Sequence, residues 1–194
     1  MATSRAKTIG ASAHATVDAL LDAFHEAAKV GDLKGYFGCY HKDGRFLGTD
    51  ASENWHVNDF YDFAKPHFAQ GSGGWEYRPI VGSRKVTYQP SADAPTFCVF
   101  DELLVSADFL ATSRGSGTLV FANGAWLVLQ YHLTFPIPND VAKDMTAKIA
   151  TFELRAKDVA AADAAAKLLE EWAIEDDAKA PTKSSKKRSG NKKK

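Results

Sequence analysis

Residues 114–140 read RGSGTLVFANGAWLVLQYHLTFPIPND, and this stretch decides the fold class. Two runs rich in aromatic and β-branched residues lie on either side of Asn123-Gly124, a dipeptide that favours the tight turn of a β-hairpin. With these two residues as the turn, Ala122 pairs with Ala125. The two runs are therefore predicted to form a long antiparallel hairpin.

Further strands and helices are predicted upstream of the hairpin. Strand-like runs, including the two of the hairpin, cover residues 75–81, 84–89, 96–104, 109–121 and 125–135. Apolar residues at helical spacing predict three helices, over residues 13–30, 33–40 and 57–68. Between the second and third helices, a turn at Asp43-Gly44 leads into a strand over residues 45–49. This order indicates an α+β fold with helices on one face of a curved sheet.

A long helix is predicted after the last strand. Asn139 or Asp140 is expected to cap a helix that extends to about residue 176. Its apolar side chains form a narrow stripe of Met145, Ile149, Phe152, Ala156, Val159, Ala166, Leu169 and Trp172. A stripe this thin suits packing along another surface, such as a partner subunit, better than an independent core.

The charges are distributed unevenly along the chain. There are 24 basic and 24 acidic residues, but seven of the basic ones and none of the acidic ones lie between Lys183 and Lys194. The rest of the chain therefore carries 17 basic and 24 acidic residues, a net charge of −7. This balance argues against a nucleic-acid-binding core.

The same observations divide the chain into four parts. We expect a disordered start over residues 1–12 and a folded domain over residues 13–142. A helical extension over residues 143–178 and a disordered Lys-rich tail over residues 179–194 follow it.

Four segments together resemble a known family. They are RFLGTDASENW (residues 45–55), FDELL (100–104), RGSGTLV (114–120) and WLVLQYHLTFPIPND (126–140). In this order they resemble the SnoaL-like branch of the nuclear transport factor two-like superfamily, over about residues 14–142. The resemblance implies a cone-shaped, strongly curved and mostly antiparallel sheet, closed by three N-terminal helices around an internal cavity. It also implies a homodimer formed through the sheet.

The resemblance leaves the activity open. Some members of this superfamily are isomerases, cyclases or dehydratases that act on hydrophobic organic molecules, and others are non-catalytic binding or association modules. A fold alone does not select among these functions. The extension after about residue 150 departs from the usual pattern of the family.

The hairpin places two polar side chains beside two glycines. If the pairing runs regularly from the turn, His132 lies opposite Gly115 and Gln130 lies opposite Gly117. His132 and Gln130 then share one face with Trp126, and the glycines leave space over it. His132 is the first candidate for proton transfer, because imidazole titrates near physiological pH, and Gln130 is a candidate ligand-binding residue. The alternative is a structural histidine at a strand edge or dimer contact.

Two acids are further candidates for catalysis. Asp50 ends the first predicted strand, and Glu102 lies within the apolar strand TFCVFDELL. Alternation turns either Asp101 or Glu102 inward, and we favour Glu102. A buried acid must be paired or protonated, and in a cavity it can acquire a raised pKa and act as a general base. The alternative is an acid satisfied by Arg114 or by water at the strand end.

Three residues are candidates for ligand contacts. Arg114 could pair with an inward acid or bind an anionic group. In a regular hairpin it points away from the face of His132, so that a shared cavity requires a bulge. Trp55 and Tyr131 could line the pocket, and the alternative for both is core packing.

Neither a metal site nor a cofactor is expected. The histidines lack metal-type spacing, and His25 on the first helix is expected to face solvent. Isomerisation or dehydration can proceed by proton transfers alone and requires no cofactor. No apolar run reaches the roughly 18 residues of a membrane span. We expect a cytoplasmic protein, or a nuclear one if the basic tail is a localisation signal.

Two functions follow from these patterns. The first is a pocket that binds, and can isomerise or dehydrate, a small and largely apolar molecule by acid-base chemistry. The second is a non-catalytic homodimeric association module whose C-terminal helix and basic tail engage a protein or nucleic-acid partner. The residues do not establish that the chain is an enzyme.

Overall fold

A computed structural model describes residues 14–69 and 73–179, with side chains as far as residue 170. The chain divides into two compact units, Met1–Pro136 and Ile137–Lys194. The predicted disordered start and Lys-rich tail lie outside the described residues, apart from Lys179 at the end of the last helix.

Three helices open the first unit. Helix α1 covers Val17–Val30; the side chain of Thr16 caps its first turn, and Gly31 ends it with φ of 73°, a conformation that favours glycine. Helix α2 covers Leu33–Gly38 and is capped by Asp32, and helix α3 covers Val57–Phe68.

Seven strands form one curled sheet. They are β1 Tyr40–Leu47, β2 Asn54–His56, β3 Arg78–Pro79, β4 Lys85–Gln89, β5 Phe97–Val105, β6 Ser113–Ala122 and β7 Ala125–Thr134. The order across the sheet is β2-β1-β7-β6-β5-β3, and β4 also pairs with β5. Among the strands of the described residues, β1 and β7 pair in parallel and the other pairs are antiparallel. The predicted α+β fold with a mostly antiparallel sheet is confirmed.

The predicted turn at Asp43-Gly44 is wrong. Both residues lie inside β1, which begins at Tyr40. The register between β1 and β7 shifts between Tyr40 and Arg45, so the extra residues form an irregularity within the strand and do not end it.

The hairpin register also differs from the regular one. Ala122 pairs with Ala125 as predicted, but Leu119 pairs with Val128 and Thr118 with Gln130. Leu129 is therefore an extra residue on β7, a β-bulge that shifts all later pairs by one position. The predicted pairing of His132 with Gly115 and of Gln130 with Gly117 is wrong.

The bulge changes which side chains of β7 point to the inner face of the sheet. Trp126 and Val128 are buried before it, whereas Tyr131 and Leu133 are buried after it. Because alternation has period two, one inserted residue moves every later side chain to the other face. The inner face of the sheet packs against α1, α2 and α3 in a single core.

The second unit contains one helix, α4, which covers Asn139–Lys179. The predicted stripe is solvent-accessible within this unit: Met145, Ile149 and Phe152 are 39%, 43% and 71% exposed. In the part of the chain that the structure describes, no helix is long and apolar enough to span a membrane.

Candidate functional site

A cavity of about 170 Å³ lies between the helices and the inner face of the sheet. Most of its lining side chains are aromatic, among them Phe24, Tyr36, Trp55, Phe60, Trp75 and Tyr131. Its polar lining includes His25, Thr49 and Glu53. Apolar cavities of roughly 150 Å³ bind benzene, so the space suits a molecule with a single ring.

Several lining rings are stacked in parallel. Phe46 lies within 7–11° of the planes of Trp55, Phe60 and Tyr131, with ring centroids 4.0–6.2 Å apart. Stacked aromatic rings are stiff and present flat apolar faces. The cavity is therefore shaped by rigid walls.

His25 reaches the cavity from α1, and a buried carboxylate holds it from behind. Its Nε2 lies 2.7 Å from Oε1 of Glu102, a residue of β5 with no exposed surface. An ionised carboxylate can only accept, so Nε2–H is the donor, which leaves Nδ1 unprotonated when the ring is neutral. Nδ1 has no hydrogen-bond partner among residues 14–69 and 73–170. This geometry is that of an oriented general base.

Arg84 completes the network on the other side of Glu102. Its Nε donates to Oε2 of Glu102 at 2.8 Å, and its Nη1 and Nη2 donate to Asp18 and Asp22 of α1 at 2.8 and 2.9 Å. One guanidinium, on the residue just before β4, thus joins β5 to the helix that carries His25. The network fixes the position of the His25 ring relative to the sheet.

The network keeps Glu102 ionised. Burial by itself raises the pKa of the Glu102 carboxyl, but hydrogen bonds from His25 and Arg84, together with nearby positive charge, outweigh burial. The pKa of Glu102 therefore lies below its ordinary value. Of the two alternatives for an inward acid, the raised pKa is therefore wrong: the acid is paired, with Arg84 and His25 in the place expected for Arg114.

Tyr131 supplies a second polar group to the cavity wall. Burial raises the pKa of its hydroxyl well above the ordinary value, and the negative charge of Glu102 acts in the same direction. The hydroxyl is therefore a neutral donor at physiological pH. Gly115 makes room for it, since a Cβ there would overlap with the Tyr131 oxygen.

Three of the predicted site residues lie at the cavity or directly behind it. Trp55 and Tyr131 line it. Of the two acids that alternation left open, Glu102 is the buried one, although it is paired with His25 and Arg84 and not with Arg114.

The other predicted site residues lie away from the cavity. His132 pairs with Ser116 and Arg114 with Thr134, on the outer face of the sheet, and Gln130 is exposed on that face. The bulge at Leu129 turns Tyr131 inward in their place. Arg114 and His132 do share a face, but it is the outer one.

Asp50 lies in the turn after β1 and is exposed. Its carboxylate accepts hydrogen bonds from the backbone N–H and the hydroxyl of Ser52, which lower its pKa. Asp50 thus stabilises a turn.

The expectation that His25 faces solvent is wrong, since His25 is only 8% exposed. His25 lies four residues after Leu21 and three before Ala28, both on the buried stripe of α1, and this spacing was a usable signal. Asp18 and Asp22 continue the same row at helical spacing. For Arg84 there was no such signal, because its partners are 18 to 66 residues away in sequence.

Comparison with solved structures finds proteins of similar fold. An NTF2-like protein of unknown function from Pseudomonas putida KT2440 has a TM-score of 0.51 and 13% identity, covering 64% of this chain and 87% of that chain. A second NTF2-like protein, from Shewanella oneidensis MR-1, has a TM-score of 0.49 and 12% identity, covering 61% and 95%. A cystatin-like protein of unknown function from Nostoc punctiforme PCC 73102 has a TM-score of 0.47 and 12% identity, covering 62% and 88%. At these identities the likeness concerns the fold alone.

No curated protein matches the chain. The SnoaL-like domain, in contrast, matches residues 17–138, which is more than half of the chain and includes α1, α2, α3 and the whole sheet. The chain therefore belongs to the SnoaL-like domain family.

Proposed function

We propose that the cavity binds a small, largely apolar molecule and that His25 exchanges a proton with it. The observation that carries the proposal is that His25 lines the cavity while Glu102 holds its Nε2 at 2.7 Å, so that Nδ1 remains as the base. The aromatic walls supply apolar contacts. A reaction that consists of proton transfers fits these groups.

The chemistry can be written for a carbonyl compound. Nδ1 of His25 takes a proton from the carbon next to the carbonyl, and the electron pair of the broken C–H bond forms an enolate. If the molecule is a β,γ-unsaturated carbonyl compound, the enolate is conjugated with the C=C bond, and return of the proton from His25 to the γ-carbon gives the conjugated isomer. If it carries a hydroxyl on the β-carbon, the enolate electron pair forms a C=C bond as the C–O bond breaks, and the proton from His25 leaves with the hydroxyl as water. Glu102 stabilises the imidazolium that forms between the two steps, and a positioned base of this kind contributes about 10²–10⁴-fold to the rate.

The proposal is tested by proton exchange with a compact ketone. Cyclohexanone in D₂O is expected to exchange its α-protons faster with the protein than with buffer, as followed by NMR. His25→Gln keeps a polar side chain but cannot take up a proton, so the exchange is expected to fall by about 10²-fold or more. Thermal unfolding of the variant shows whether the fold is intact.

His132→Gln is the matched control, because it makes the same change at a half-buried histidine on the outer face. Its exchange rate is expected to equal that of the unchanged protein. Equal rates in both variants, or a lower rate in His132→Gln alone, would assign the chemistry elsewhere.

A second candidate function, homodimeric association, is favoured by the outer face of the sheet. Along the outward side of β5, Phe97, Val99 and Val105 are 40%, 45% and 38% exposed, and Leu103 is partly exposed. Asp101, which is paired with Arg114, interrupts this row. Exposed apolar side chains framed by polar ones are typical of a surface that another chain covers. We infer that two copies associate through this face.

The association is tested by sedimentation. The unchanged protein is expected to be a dimer, and Val99→Glu is expected to shift it to the monomer, because a charge in the centre of an apolar interface is left without a partner. Val81→Glu is the control, since Val81 is fully exposed in a turn. A monomeric unchanged protein would exclude the association.

A further inference from the structure

We infer that the cavity takes organic cations, such as protonated amines with a single aromatic ring, in preference to carboxylates of the same size. The inference rests on the proposed function, because it assumes that the cavity binds a small molecule, and it names the charge of that molecule. Three observations carry it: the carboxylate of Glu53 among the lining residues, the three carboxylate partners of Arg84, and the ring faces of the aromatic walls.

The charged group at the rim is a carboxylate. Glu53 is the one acidic or basic side chain, histidine apart, among the described residues that line the cavity. Its Oε2 accepts a hydrogen bond from the backbone N–H of Asp50 at 3.2 Å, which fixes the carboxylate in place over Gly48. No hydrogen bond engages Oε1 within the described part of the chain. This oxygen is available to a ligand.

Arg84, which holds Glu102 behind His25, offers no binding site for an anion. Each of the three guanidinium nitrogens of Arg84 already donates to a different carboxylate. Arg84 with its three acids amounts to a net charge of −2 behind His25. A carboxylate in the cavity would therefore meet negative potential from Glu53 on one side and from this cluster on the other.

Negative charges near the cavity also affect Tyr77, one of its lining residues. Tyr77 lines the cavity, and the pKa of its hydroxyl is raised by burial and by the negative charges of Asp108 and Glu53. Such charges oppose the formation of any further anion at this position and favour a cation there.

The aromatic walls complete the preference. Trp55 and Phe63 stack with centroids 4.6 Å apart, and Trp75 lies near Phe60, at 5.9 Å. All four line the cavity, so a bound cation lies close to ring faces, which carry negative partial charge. His25 also lines the cavity, and in the neutral ring its Nδ1 can accept a hydrogen bond from an ammonium group.

The test uses three probes that differ in charge and little in size: benzylammonium, benzyl alcohol and benzoate. Isothermal titration at pH 7 and constant ionic strength is expected to give about tenfold tighter binding for benzylammonium than for benzyl alcohol, with benzoate the weakest. The advantage of the cation is expected to shrink as salt is raised.

Glu53→Gln removes the charge at the rim and keeps the size of the side chain. The ratio of affinities between benzylammonium and benzyl alcohol is expected to fall severalfold, because the cation loses its attraction to the carboxylate and the neutral alcohol loses much less. Asp59→Asn is the matched control, because Asp59 is an exposed acid of α3 that does not line the cavity. The ratio is expected to stay the same in this control.

The outcomes separate the two proposals. If benzyl alcohol binds but benzylammonium binds no tighter, or if benzoate binds as well as the cation, the cation preference is overturned while the proposed function stands. If none of the three probes binds, the proposed function fails and the preference with it. If Glu53→Gln does not fold, the order of the probes on the unchanged protein and its salt dependence decide.

Discussion

Replacing Arg84 by methionine is expected to lower the free energy of unfolding by about 3–5 kcal/mol at pH 7, as measured by denaturant titration. Methionine fills a similar space but leaves the fully buried carboxylate of Glu102 without its cation. Asp18 and Asp22 are 76% and 69% exposed, so water solvates them and their loss of Arg84 adds little. Most of the expected effect therefore comes from Glu102.

Arg114→Met is the matched control for this experiment. The side chain of Arg114 is 48% exposed and lies 4.0 Å from Asp101, so its loss is expected to cost about 0–1 kcal/mol. Equal and small effects of the two substitutions would contradict this expectation. They would show that His25 or water stabilises the buried charge of Glu102 without Arg84.

The destabilisation by Arg84→Met is expected to depend on pH. In the unchanged protein the folded-state pKa of Glu102 lies below the ordinary 4.5, so its contribution to stability is present above that pH and is lost as the pH falls through the folded-state value. In the variant, burial favours the protonated acid, and protonation relieves the unpaired charge. The difference between the two proteins should therefore narrow when the same titration is repeated near pH 3.5.

Gly117→Ala is expected to cost about 3 kcal/mol of stability, the upper end of the range for overpacking. A Cβ at this position would overlap with the backbone carbonyl oxygen of Gln130, next to the bulge at Leu129. Backbone cannot rotate away as a flexible side chain does, so the strands must separate or the bulge must move. Thermal or denaturant unfolding measures the loss.

Ser116→Ala is the control for this substitution. Ser116 neighbours Gly117 on β6 but faces the outer side of the sheet, and its change to alanine is expected to stay within about 0.5 kcal/mol. A loss below about 1 kcal/mol for Gly117→Ala would show that the bulge can move. The faces of the sheet on which Tyr131 and His132 lie would then not be set by Gly117.

The elements of this fold follow from local patterns in the chain. The apolar stripe of α1, the bounds of α3 and the turn at Asn123-Gly124 each depend on residues close in sequence, so periodicity and turn chemistry suffice to predict them. The family also follows from short segments of sequence. The presence of one inward acid on β5 follows from alternation alone.

The identity of the site, in contrast, depends on contacts between distant residues. Because of the bulge at Leu129, Tyr131 lines the cavity and His132, which a regular hairpin would place there, lies on the outer face. No local sequence pattern marks Leu129 as the bulged residue.

The α+β class, the hairpin, the family and the order of the elements, except for the short β2, could be predicted from the sequence, because these depend on interactions between neighbours in the chain. The meeting of His25, Glu102 and Arg84, and the face of β7 that borders the cavity, depend on the folded chain as a whole. The physical reason is that a buried charge selects its partners in three dimensions, across as many as 77 residues of sequence.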